Sequence, residues 1–109
     1  MKQPIFPSPI FDPENPTDEA LDEALEFIRD YDVTLYGFRA IIPFLIEIWF
    51  NSKNGFVFNE KTGRLSLATG GWSDNEMIID AFRDNIHFWS VCWQKTERGG
   101  RYVLKLPKK

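Results

Sequence analysis

HFWSVCWQKTERGGRYVLKL, residues 87–106, decides the architecture. Gly99 and Gly100 can take the positive φ of a tight turn, which makes two antiparallel strands of the stretch. Trp93 then pairs with Leu106, and Val91 with a position just past the strand end. On this register Trp89, Val91 and Trp93 share a side with Tyr102, Leu104 and Leu106. Phe88, Ser90, Cys92, Gln94, Arg101, Val103 and Lys105 take the other, far more polar side. Such alternation predicts an antiparallel sheet with one face under helices and the other partly wet.

The preceding third repeats the pattern. After the turn signal NSKNG, Phe56 and Phe58 alternate with Val57, the loop NEKTG supplies a glycine, and Leu65 and Leu67 follow. Pairing Phe58 with Leu65 sets Phe56 opposite Leu67 and puts all four side chains on one face, which predicts a hairpin. Upstream, Thr17 is an N-cap followed by Asp18 and Glu19 in the first turn, where the helix dipole favours acid. Leu21, Ala24, Leu25 and Ile28 recur at helical spacing between Asp22, Glu23 and Glu26, predicting an amphipathic helix over about 18–31. Residues 33–52 are apolar on every side and do not choose between buried helix and strand; Pro43 favours a second helix kinked or started there. The fold expected is a two-layer α+β domain over residues 17–109, an antiparallel sheet built from hairpins with helices packed on one face.

Residues 1–16 hold five of the seven prolines and predict an extended arm. Ile5, Phe6, Ile10 and Phe11 are apolar enough to dock on its own domain; the alternative is a homodimer joined through the arm.

TGGWSDNE, residues 69–76, joins the strand RLSLA to an apolar helix. Ser73 and Glu76 have the spacing of a capping box, and Ile78, Ile79, Phe82 and Ile86 form the helix's expected buried stripe. Gly70, Gly71, Trp72, Ser73 and Glu76 thus make a candidate corner for a ligand. Free amides at the helix start would cradle an anion, with Arg98 or Arg101 as counter-charge and Tyr102 beside them. Asp74 competes for that field, no phosphate-loop pattern is present, and a tight turn anchored by Trp72 explains the same residues.

Composition narrows the classes of function. The chain has 109 residues, enough for one core, and aromatic residues make up 16% of it, leaving rings for a partner. A net charge of −3 and a pI near 5.1 do not recruit nucleic acid or an anionic membrane. The lone RGG at residues 98–100 reads as a hairpin turn. A single cysteine excludes an intrachain disulfide and suits a reducing compartment. The longest apolar run, AIIPFLIEIWF, is about half of the ~20 residues a membrane span needs. Prolines interrupt the N-terminus where a signal peptide would be continuous. A soluble, cytoplasmic protein is expected.

TGGWS-x-NE, an apolar helix, FW-x-x-CW and RGG-x-Y follow one another over residues 69–106. The matching residues are Thr69, Gly70, Gly71, Trp72, Ser73, Asn75 and Glu76, then Phe88, Trp89, Cys92 and Trp93, then Arg98, Gly99, Gly100 and Tyr102. This string resembles one found in small hypothetical proteins encoded by bacteriophages and prophages. The resemblance implies an origin, and with it a bacterial host cell, but no mechanism.

Catalysis would have to use His87, the only histidine, or Cys92, which sits mid-strand with no feature nearby to lower its pKa. One Cys and one His do not supply a usual zinc site, and no metal or cofactor is expected. Arg101, Lys105 and Phe88 on the wet face of the sheet would offer a basic and aromatic surface to an acidic protein or a nucleotide. The first reading is therefore a phage or prophage accessory protein acting by non-catalytic binding to a host or phage macromolecule, with a protein partner expected. The second is a small-ligand domain for a nucleotide or phosphate, using the Gly70–Ser73 corner.

Overall fold

The computed structural model describes residues 2–108. Its first helix, α1 (Asp18–Asp30), starts where Thr17 accepts from the Ala20 amide at 3.3 Å, and it buries Leu21, Ala24, Leu25 and Ile28 as the spacing predicts. Each leucine or isoleucine among them contributes on the order of 1.5–3 kcal/mol on leaving water. A single turn, α2 (Val33–Tyr36), follows, capped by the Asp32 carboxylate. Next come a 3₁₀ turn over Arg39–Ile41 and α3 (Ile42–Ile48). Pro43 lies in the first turn of α3, where its missing N–H leaves no bond unmade. The ambiguous apolar stretch is therefore helical, with its main helix started at the proline.

Four strands form one antiparallel sheet in the order β1-β2-β4-β3. They are β1 (Phe56–Phe58), β2 (Arg64–Ala68), β3 (Trp93–Glu97) and β4 (Arg101–Lys105), and a one-turn α4 (Ser52–Gly55) leads into β1. The first hairpin has the register read from the sequence, Phe58 opposite Leu65 and Phe56 opposite Leu67. Between β2 and β3 lie α5 (Ser73–Asp84) and α6 (Ile86–Cys92). Leu65, Leu67 and Leu104 from the inner sheet face, with Leu106 just beyond β4, join Ile28, Leu45, Ile78, Phe82 and Phe88 in a single core cluster. The two-layer α+β arrangement is thus established.

The second hairpin corrects the expected register. Residues 86–92 are helical, so Trp89 and Val91 are not strand residues, and β3 begins only at Trp93. Trp93 faces Leu104 and not Leu106, with an irregularity before Lys95. Phe88 and Cys92, expected on the wet face, are each 0% exposed, because i and i+4 of α6 point into the core. Ile86, expected in the buried stripe of α5, lies beyond the break at Asn85 and is 73% exposed. Nor do the indoles line the sheet's interior: Trp93 is 44% exposed and Trp89 half-buried at its margin.

Asn85 makes that break. Its amide donates to the carbonyls of Ile28 and Tyr31, both at 2.9 Å, and its Oδ1 accepts from the Phe88 N–H at 3.2 Å. One buried side chain therefore caps α6 and ties it to the end of α1.

The arm lies on its own domain. Phe11 is buried, and Phe6 packs between Phe27 and Phe44 at ring distances of 5.7 and 5.2 Å. Ile5 and Ile10 remain exposed.

Candidate functional site

The corner between β2 and α5 turns through Gly70 and Gly71, both at positive φ. Ser73 is the first residue of α5, but the capping box does not form. Trp72 occupies the cap position in extended conformation with no side-chain cap bond, and Ser73 and Glu76 are exposed. The turn ends in a Trp72 N–H bond to the Thr69 carbonyl at 3.0 Å. Asp74 and Glu76 in the first turn place negative charge where a bound anion would sit.

The corner is held from within by Asn75. Its Oδ1 accepts from the Phe50 N–H at 3.0 Å, and its Nδ2 donates to the carbonyls of Phe50 and Thr69 at 3.1 and 3.3 Å. This clamp sets Phe50 against Trp72, ring centroids 4.2 Å apart, and leaves Trp72 49% exposed. Hollows of about 190 Å³ each flank the ring pair. One is lined by Pro13, Pro16, Ser73 and Asp74, the other by Asn51, Asn54, Thr69 and Gly70. Thr69 is buried, and its hydroxyl has no hydrogen-bond partner.

The remaining candidate residues lie on the adjoining β3–β4 hairpin, whose Gly100 carbonyl accepts from the Thr69 N–H at 3.0 Å. Arg98 sits exposed in the β3–β4 turn. Arg101 points to the outer sheet face, where its guanidinium donates to Ser66 Oγ at 3.1 Å and lies 4.0 Å from Glu97. Tyr102 points the opposite way, to the inner side, with Trp89 at 6.2 Å and the Arg83 guanidinium 5.4 Å over its ring. The outer face keeps Arg101 and Lys105 as expected, without Phe88.

A second surface comes from the helical start of the C-terminal ribbon. Ile86, Trp89 and Trp93 follow one another at i, i+3 and i+7, so α6 carries them as one strip to the first residue of β3. Trp89 and Trp93 stack at 6.4 Å with an interplanar angle of 22°, and Trp93 Nε1 donates to Thr96 Oγ1 at 3.0 Å. The Arg83 guanidinium lies 5.8 Å over the Trp89 ring. Reading 88–93 as a strand hid this strip; Asn85 followed by a buried i, i+4 pair was the signal for it.

The two nucleophile candidates lie apart in character. Burial pushes the Cys92 thiol up to about 12, far from the thiolate a nucleophile needs. His87 is exposed, edge-on to Phe38 at 6.2 Å. It occupies the start of α6 and not the end of α5. Among the described residues no three His, Cys, Asp or Glu side chains converge on a metal position, and no helix is long and apolar enough to cross a membrane.

Compared with known proteins, the chain matches no family model, and no curated protein or solved structure is significantly similar to it.

Proposed function

We propose that the protein is a small binding domain that acts on a host or phage protein without turnover, working in the cytoplasm of a bacterial host. The strip Ile86–Trp89–Trp93 carries this reading. It places two stacked indoles and an isoleucine, 73% exposed, on one surface of a chain with a well-filled core. Exposed tryptophan beside arginine is the composition of interface centres. The resemblance of the motif string to small phage and prophage proteins supports the origin.

Affinity capture from bacterial and phage-infected lysates tests it, using the wild type beside a variant carrying Ile86→Asp and Trp93→Ser. A protein retained by the first and lost by the second supports the strip as the contact. Equal retention by both removes it.

The hollow beside Trp72 favours a second reading, a small polar ligand held among Asn51, Asn54 and Gly70. With Asp74 and Glu76 close by, it suits a neutral amide or hydroxyl compound better than a phosphate. Thermal shift against nucleotides, phosphate and small amides separates these: stabilisation by none of them counts against the hollow as a site.

A further inference from the structure

The helices pack against one face of the sheet and leave the other open. Cross-strand pairing puts Arg64 opposite Lys105, Ser66 opposite Val103, and Ala68 opposite Arg101. Lys95 and Glu97 of β3 face Val103 and Arg101. Side chains paired in this way share a side, so the open face carries Arg64, Lys95, Arg101 and Lys105 against a single carboxylate, Glu97. That is a positive face on a chain whose net charge is −3. Glu97 lies 3.5 Å from Lys95 and 4.0 Å from Arg101, while Arg64 and Lys105 have no carboxylate within 4.0 Å among the described residues. Arg64 and Arg101 wall a depression of about 280 Å³ with Val57, Asn59 and Ser66, and the bond from Arg101 to Ser66 holds one guanidinium over its floor.

We infer that this open sheet face is a docking surface for an extended acidic segment of another protein, one of whose carboxylates enters the Arg64–Arg101 depression. The inference rests on the reading of the chain as a protein-binding domain but concerns a face separate from the tryptophan strip. Two guanidiniums beside a hydroxyl and an amide form a donor set suited to a carboxylate. Arg101 and Lys105 lie four residues apart along β4, roughly 13 Å at strand rise, so the charge is spread for several carboxylates along a chain and not for one small anion. A polypeptide is favoured over single-stranded nucleic acid because the face offers no ring on which a base could stack. Glu97 would also oppose a continuous phosphate backbone, and the net negative charge of the whole chain repels a polyanion at long range. Backbone pairing onto the free edge at β3 is disfavoured by its charges and its irregular start.

Fluorescence anisotropy of the full chain with a labelled deca-glutamate peptide is the test, with an oligo-dT of equal length and inorganic phosphate as competing arms. Peptide binding should weaken as salt rises and drop by about tenfold or more in the variant carrying Arg64→Ser and Arg101→Ser. Lys105→Glu, which removes no hydrogen bond of the fold, should weaken it as well. This keeps the result interpretable if the double variant folds poorly. Val91→Ser, at an exposed position of α6, should leave peptide affinity unchanged. Peptide binding that is absent, or indifferent to all of these arginine and lysine changes, overturns the inference. Tighter binding of oligo-dT, or full displacement of the peptide by phosphate at equal charge, overturns the polypeptide assignment. Loss of captured protein on mutating the tryptophan strip, with no peptide binding here, leaves the proposed function standing without this face.

Discussion

Gly100 lies directly against Thr69. The Thr69 N–H donates to the Gly100 carbonyl at 3.0 Å, and a Cβ on Gly100 would collide with the Thr69 hydroxyl oxygen. This approach fastens the β3–β4 turn to the corner between β2 and α5, two segments some thirty residues apart in the chain. The RGG at this turn is therefore explained by packing: its second glycine is required by a neighbour's side chain.

Gly100→Ala should cost about 2–3 kcal/mol, combining strain at positive φ with the collision. Gly99 has a similar φ, 82° against 80°, but nothing within 4 Å of where its Cβ would sit. Gly99→Ala should therefore cost only about 1 kcal/mol, the backbone share. Urea unfolding of the two variants isolates the contact as their difference, and equal losses would show that Thr69 yields.

Asn75 is expected to be the most sensitive polar residue of the corner. Asn75→Ala leaves the Phe50 N–H and the Phe50 and Thr69 carbonyls without their side-chain partner, a loss of roughly 2–3 kcal/mol. Asn75→Asp keeps the acceptor for Phe50 but turns a carboxylate towards two carbonyl oxygens. At neutral pH it should be no better than alanine, and it should recover part of its stability as the solution is acidified and the carboxyl becomes a donor. Thermal melts at pH 4 and pH 7 check both variants.

The sequence is legible where period and burial agree, as at Phe56, Phe58, Leu65 and Leu67, whose shared parity supports the hairpin that the structure has. It misleads at Phe88–Trp93, because six residues fit both templates: Trp89, Val91 and Trp93 alternate like a strand, while Phe88 and Cys92 are a helical i, i+4 pair. The contacts that break the tie come from far away in the chain, since Asn85 finds its partners on Ile28 and Tyr31. Ser73 and Glu76 had the right spacing for a box, but the helix is anchored by the residue between them, Asn75, whose partners at Phe50 and Thr69 no local pattern announces. The basic side of β4, by contrast, could be read directly from the alternation of Arg101, Val103 and Lys105.

The four tryptophans should divide by solvent access. Trp49 is 2% exposed, whereas Trp72 and Trp93 are 49% and 44% exposed. Acrylamide should quench native emission partially, and Trp72→Phe with Trp93→Phe should shift the remaining emission to the blue and lower the quenching constant. Unchanged quenching in that double variant would place both rings inside.

Alkaline stability follows from two buried acids. Burial pushes the Cys92 thiol from 9.0 up to about 12, and burial together with Tyr36 pushes the Tyr31 hydroxyl from 10.0 up to about 12. Tyr31 also donates to the Gly37 carbonyl at 2.8 Å, a bond that ionisation removes. Both groups hold their protons more tightly when folded, so the folded state binds more protons than the unfolded chain above the unfolded pKa values. Their contribution is complete below pH 9 and is lost as the pH rises from there through about 12. Denaturant midpoints should accordingly decline across that window. Cys92→Ala should flatten the start of the decline and Tyr31→Phe its later part, each at the cost of some stability at neutral pH. Iodoacetamide at pH 8 should leave native Cys92 unmodified and label it once the chain is unfolded in urea. Rapid labelling of the native chain would mean that the thiol is neither buried nor raised.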